Sequence, residues 1–209
     1  NPNGRLTKCN EARIWAAISS VNHVVKNNIP GDIVECGVWR GGCSLAMALK
    51  LKELNSSKKL FLYDTFEGMP EPSTHDGLRV NKVYQEFKRR NEPWTKASLE
   101  DVISSSKKLF SNTDDLIFVK GKVENTLVEK NNLPEKISLL RLDTDFYEST
   151  KIELETFYPL LSKRGVLIID DYGDFPGCRK AVDEYFLDRN VLMVGVDKIY
   201  KSLSAVAPS

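Results

Sequence analysis

Five acidic residues stand at, or just past, the ends of short apolar runs. Asp64 follows residues 60–63, Asp143 and Asp145 follow residues 137–142, and Asp170 and Asp171 follow residues 166–169. Glu35 lies inside a fourth run, residues 33–36, directly before the glycine-rich turn Gly37-Val38-Trp39-Arg40-Gly41-Gly42. Clustered carboxylates repel one another unless a cation sits between them. A donor set made only of oxygen favours a hard ion, Mg2+ first, with Mn2+ or Ca2+ as alternatives. A D-x-D pattern such as Asp143-x-Asp145 also serves metal-dependent glycosyltransferases. Phosphatases with an aspartyl nucleophile use one on the first strand of their domain, whereas this one is on the fourth.

The glycine-rich turn narrows the ligand. Residues 37–44 have phosphate-loop spacing, but Cys43 replaces the lysine that such a loop needs. The turn reads G-x-x-x-G-G, so the second glycine of a dinucleotide fingerprint is missing. A nucleotide-like ligand without phosphates fits better. Glu35 is then available to a cationic group, and Asp64, at the end of the next run, to a ribose diol. An adenosyl group joined to an amino acid is S-adenosylmethionine. His75, in an irregular stretch, is a possible acceptor contact, and Trp39 and Arg40 either touch a ligand or brace the turn. His23 and Trp15 read as helix-packing or surface residues.

The elements that must position these residues follow from hydrophobic spacing. Ile14, Ile18, Val21 and Val25 form one stripe of a helix over residues 10–27. Runs at 33–36, 60–63, 116–119, 137–142 and 166–169 read as strands buried on both faces, alternating with helices at 44–54, 98–109, 149–161 and 178–188. Ser98 and Ser149 are the expected helix caps. Residues 67–97 form an irregular insertion with a helix at 81–90. Runs at 191–196 and 199–203 suggest a closing hairpin. The expected fold is a single domain over residues 1–209. It is a doubly wound α/β architecture whose sheet has seven strands, mostly parallel, with an antiparallel last strand. In such sheets ligands bind beyond the carboxyl ends of the strands, which is where the acidic residues stand.

Composition removes other classes. The 209 residues carry 30 Lys plus Arg against 29 Asp plus Glu, a net charge of +1, which argues against binding nucleic acid through bulk charge. No apolar run approaches the roughly 18 residues of a membrane span, and the first ten residues lack the core of a secretory signal. The four cysteines include no C-x-x-C pair, so a zinc site is not expected. Reduced thiols and a cytoplasmic location fit best.

The segments DIVECGVWRGGCS, LYDTFEGMPEP, RLDTDFYEST and GVLIIDDYGDFPGCRKAVDEYF together resemble the macrocin-type sugar O-methyltransferases of antibiotic biosynthesis. These are Rossmann-like class I enzymes that use S-adenosylmethionine and a metal. The resemblance runs over residues 29–186. It implies Asp143, Asp170 and Asp171 as metal ligands and Asp145 as general base. It also implies cofactor contacts from Glu35, Gly37, Gly41, Ser44, Asp64, Thr65, Asp143, Lys122 and Val123, the last two on the adenine side. Residues 1–30 would act as a lid and residues 67–97 would shape the acceptor side. The acceptor would be a hydroxyl of a sugar or other small molecule, and a homodimer is the expected assembly. A glycosyltransferase and a non-catalytic cofactor-binding module remain the alternatives.

Overall fold

The computed structural model describes residues 4–189, 191–195 and 203–206, the last four by their backbone. Helix α1 (Glu11–Lys26) precedes β1 (Asp32–Cys36), α2 (Gly42–Glu53) and β2 (Leu60–Asp64). Then come α3 (Gly77–Arg89), α4 (Leu99–Leu109), β3 (Leu116–Lys120), α5 (Val123–Thr126) and β4 (Ile137–Leu142). Helix α6 (Tyr147–Phe157), β5 (Leu161–Ile169), α7 (Pro176–Phe186), β6 (Met193–Gly195) and β7 (Leu203–Val206) complete the order.

Strands β1 to β5 are mutually parallel in the spatial order β3-β2-β1-β4-β5, and they carry the α/β expectation. Beyond β5 the order continues β7 then β6, with β7 antiparallel to both neighbours, so the last strand in sequence is not the last in space. Most of the run expected at 199–203 falls outside the described residues. The strand that pairs with β5 begins at Leu203 instead.

Apolar residues cover both sheet faces. On one, Val21 and Val24 of α1, Met47 and Leu51 of α2 and Val102 of α4 pack on Ile33, Leu62, Leu139 and Ile168. On the other, Leu154 and Phe157 of α6 and Val182 and Phe186 of α7 pack on Val34, Leu140 and Leu167. The direction in which successive strands are added to the sheet reverses between β1 and β4, and the crevice at their carboxyl ends is where a ligand enters such a fold.

Three boundaries differ from the sequence reading for local reasons. Helix α3 starts at Gly77, four residues before the expected start, because a 3-10 turn capped by Ser73 and Asp76 leads into it. Helix α6 starts at Tyr147, so Ser149 lies inside it and does not cap it. The cap comes from elsewhere: Asp76 Oδ1 accepts the Tyr147 N–H at 2.7 Å. Helix α6 also ends at Phe157, where Tyr158-Pro159-Leu160 form a 3-10 turn that feeds a longer β5.

Candidate active site

A cavity of about 300 Å3 opens at the carboxyl ends of β1 to β5, within the size range of small-molecule sites. Glu35, Gly37, Asp64, Thr65, Lys122, Val123, Asp143, Asp145, Asp170 and Asp171 all line it. Gly41 and Ser44 do not. Gly41, at φ +79°, ends the turn before α2, and a side chain there would meet Val102 Cγ1 at 2.9 Å. Ser44 is buried behind the cavity and donates to Glu35 Oε2. Gly37, at φ +85°, lies so close to the Asp143 carbonyl that no side chain fits.

Asp64 secures the glycine-rich turn. Its Oδ2 accepts the N–H groups of Val38 at 2.7 Å and Trp39 at 2.8 Å, and its Oδ1 accepts that of Phe66 at 2.7 Å. A carboxylate has about four lone-pair positions, so little acceptor capacity remains for a diol.

The acidic mouth divides into two halves. In the first, Arg141, only 1% exposed, places Nη1 at 2.8 Å from Glu35 Oε1 and 2.9 Å from Asp143 Oδ2, and Nη2 at 3.0 Å from Asp170 Oδ1. Arg13 of α1 pairs with Asp170 Oδ2 and reaches Asp174 at 3.2 Å. Glu35, expected to meet a ligand's cation, therefore already has donors on both oxygens. Arg141 was read as part of an apolar run. The signal that locates it is register, because Glu35 and Arg141 are direct partners across β1 and β4.

The second half has less compensation, because only Asp143 in it pairs with Arg141. Carboxylate oxygens of Asp143, Asp145 and Asp171 lie within 4.8 Å of one another. Asp171 Oδ2 is buried without a hydrogen-bond partner. This trio contains Asp145 beside the expected Asp143 and Asp171, while the expected Asp170 converges with Asp143 and Cys9 within the same distance and pairs with Arg13 and Arg141. Burial and the neighbouring Asp145 charge push the Asp171 carboxyl well above its ordinary range. Burial also raises Asp145, to about 7, although a hydrogen bond from Asp171 lowers it. Lys8, in the segment before α1, faces Asp145 and Asp143 and lies 5.1 Å from the centre of the Trp39 ring.

Backbone geometry aims Asp145. Its φ is +68°, and Phe146 N–H donates to the Thr144 carbonyl at 2.8 Å, a three-residue turn. Thr144 in turn donates to Glu153 of α6, at 3.0 and 3.1 Å from its two oxygens. Glu153 is fully buried, and that burial pushes its pKa well up. Above the carboxyl groups, Met69, Pro70, Trp94 and Phe175 make an apolar rim. Part of that rim comes from the insertion, which Asp76 pins to the start of α6. Asp76, Lys8, Arg13 and Glu153 had not stood out from the sequence. Only Asp76 carried a local sign, the Ser73-x-x-Asp76 capping box.

Comparison with known proteins extends this picture. The family model described as macrocin O-methyltransferase (TylF) matches residues 2–201. A Streptomyces olivaceus protein, the 8-demethyl-8-(2,3-dimethoxy-alpha-L-rhamnosyl)-tetracenomycin-C 4'-O-methyltransferase, is 35% identical over 167 residues, 79% of this chain and 61% of its own length. The demethyldecarbamoylnovobiocin O-methyltransferase of Streptomyces niveus is 34% identical, with 79% and 62% covered. The chain therefore spans about three fifths of the length of these relatives. The solved structure of the O-methyltransferase NovP superposes with a TM-score of 0.86 at 29% identity, covering 99% of this chain and 84% of that one. The chain belongs to the macrocin O-methyltransferase family.

Proposed function

We propose that this protein transfers a methyl group from S-adenosylmethionine to a hydroxyl of a glycosylated small molecule, with a divalent cation at the carboxylate trio. The observation that carries the reading is the convergence of Asp143, Asp145 and Asp171 carboxylate oxygens within 4.8 Å of one another in a ligand-sized cavity, where one Asp171 oxygen has no hydrogen-bond partner. Family membership speaks for methyl transfer over the D-x-D glycosyltransferase alternative. The Streptomyces olivaceus relative acts, by its name, on a rhamnosyl-tetracenomycin, and the acceptor class assigned here rests on it.

The trio fits a hard cation. Three carboxyl groups converge, and one of them, Asp171, has a buried oxygen without a hydrogen-bond partner. Asp143, Asp145 and Asp171 would hold Mg2+ or Mn2+, which would supply Lewis acidity to lower the acceptor hydroxyl's pKa. S-adenosylmethionine would supply the electrophilic methyl.

The chain's own residues do the rest. Asp145 offers one oxygen to the trio and keeps a second to take the acceptor's proton as general base. The Thr144–Glu153 contact and the turn at φ +68° hold that carboxyl in place. Asp64, Thr65, Lys122 and Val123 would hold the cofactor's adenosine, and the Glu35–Arg141 floor would lie beneath its amino-acid part. Met69, Trp94 and Phe175 exclude water and cover the acceptor's apolar face. Placing both partners in one geometry supplies much of the acceleration.

The test is transfer of radiolabelled methyl from S-adenosylmethionine to a panel of small-molecule glycosides with vicinal hydroxyls, with Mg2+ and with EDTA. Metal-dependent labelling of a glycoside supports the reading. Binding of S-adenosylhomocysteine without transfer to any glycoside would favour a non-catalytic module.

A further inference from the structure

Before α1, residues 6–9 run as a strap along one wall of the cavity, to which Leu6, Thr7, Lys8 and Cys9 all contribute. The strap is seated on the start of α2. Gly42 N–H donates to the Leu6 carbonyl at 2.9 Å. A side chain at Gly42 would lie 2.6 Å from both that carbonyl and Thr7 Cβ, so this seat depends on glycine. Two residues along the strap, and one along α2, Cys9 and Cys43 both line the cavity, with their thiols close enough to interact. Cys9 is half-buried, whereas Cys43, Cys36 and Cys178 are buried. Cys9 Sγ also accepts from Arg141 Nη2 at 3.1 Å.

We propose that Cys9 and Cys43 are an oxidisable thiol pair, which a peroxide converts to a disulfide that staples the strap to α2 beside the cavity. The half-buried Cys9 sulfur is the first to react. It attacks one peroxide oxygen, the O–O bond breaks, and Cys9 becomes a sulfenic acid while the departing hydroxide takes the thiol proton to form water. The Cys43 sulfur then attacks Cys9, the S–O bond breaks, and a second water leaves with the Cys43 proton. The two thiols lose two electrons and the peroxide gains them. Cys36 and Cys178 lie on the opposite sheet face, in the other apolar cluster, and have no part in this chemistry.

The test is peptide mass mapping of the whole protein after brief exposure to hydrogen peroxide, without reductant. The expected product is one cross-linked peptide joining Cys9 to Cys43, two hydrogens lighter than its parts and reversed by dithiothreitol, with Cys36 and Cys178 still free. In Cys43→Ser, the same treatment with glutathione present should yield Cys9 joined to glutathione. Wild-type protein that accumulates Cys9 sulfinic acid or a Cys9–glutathione adduct while Cys43 stays a free thiol overturns the pairing. So does wild-type protein in which neither cysteine reacts.

Discussion

Asp170 and Asp171 are neighbours at the end of β5, yet their surroundings are opposite. Asp170 faces the guanidinium groups of Arg13 and Arg141. Asp171 faces Asp143 and Asp145, and one of its oxygens has no partner. The first arrangement is what a fold needs to bury charge, because the carboxylate brought out of water lies beside two guanidinium groups, although its Oδ1 makes no hydrogen bond. The second leaves buried acceptors uncompensated, which costs stability and is kept in proteins where function uses it. Identical side chains one residue apart thus separate into structural and chemical roles, and the arginines decide which is which.

The largest expected effect is on turnover. Asp145→Asn keeps the side-chain shape and tolerates the positive φ, but it removes the proton acceptor. Steady-state kinetics should show kcat lower by about 10²–10⁴, the usual worth of a positioned base, with S-adenosylhomocysteine affinity unchanged by calorimetry. A near-normal kcat would place the base elsewhere.

Next in size is Arg141→Met. It leaves Glu35 and Asp170 buried without their shared cation, and breaking a buried pair in this way costs roughly 3–5 kcal/mol. Urea unfolding should show that loss directly. Asp171→Asn should behave in the opposite sense, with stability equal to or above wild type, since it removes a carboxyl that burial already disfavours. If both variants lose stability alike, the two halves are not different in kind.

These contrasts mark what the sequence could and could not tell. The strand-end acids were visible because they interrupt apolar runs at the edge where such sheets bind ligands. The sorting among them was not visible, because it depends on Arg141. That residue stands inside the run at 137–142 and acquires its meaning only when β4 pairs in register with β1. Asp64 was legible by position, but its use by three backbone N–H groups required the fold of the turn. Gly41 and Ser44 match a motif in sequence, yet the turn carries them behind the cavity wall. The cap on α6 was missed because its donor of charge, Asp76, is 71 residues away in the chain.

A smaller effect concerns Glu153, the buried carboxyl behind Thr144. Its folded pKa is raised by burial, so the native state holds a proton that the unfolded chain releases above about pH 4.3. Stability should therefore fall as pH rises from that point toward the raised folded value. Glu153→Gln should flatten that decline in thermal unfolding midpoints measured from pH 5 to 8. A wild-type profile with no decline relative to the variant would mean that Glu153 is ionised in the fold.

The division of the acidic mouth is tested most directly by Mn2+ titration followed by electron paramagnetic resonance, on wild type, Asp170→Asn and Asp171→Asn. The account predicts one bound ion in wild type, its retention in Asp170→Asn and its loss in Asp171→Asn. Retention in Asp171→Asn with loss in Asp170→Asn, or no bound ion in wild type, would contradict it.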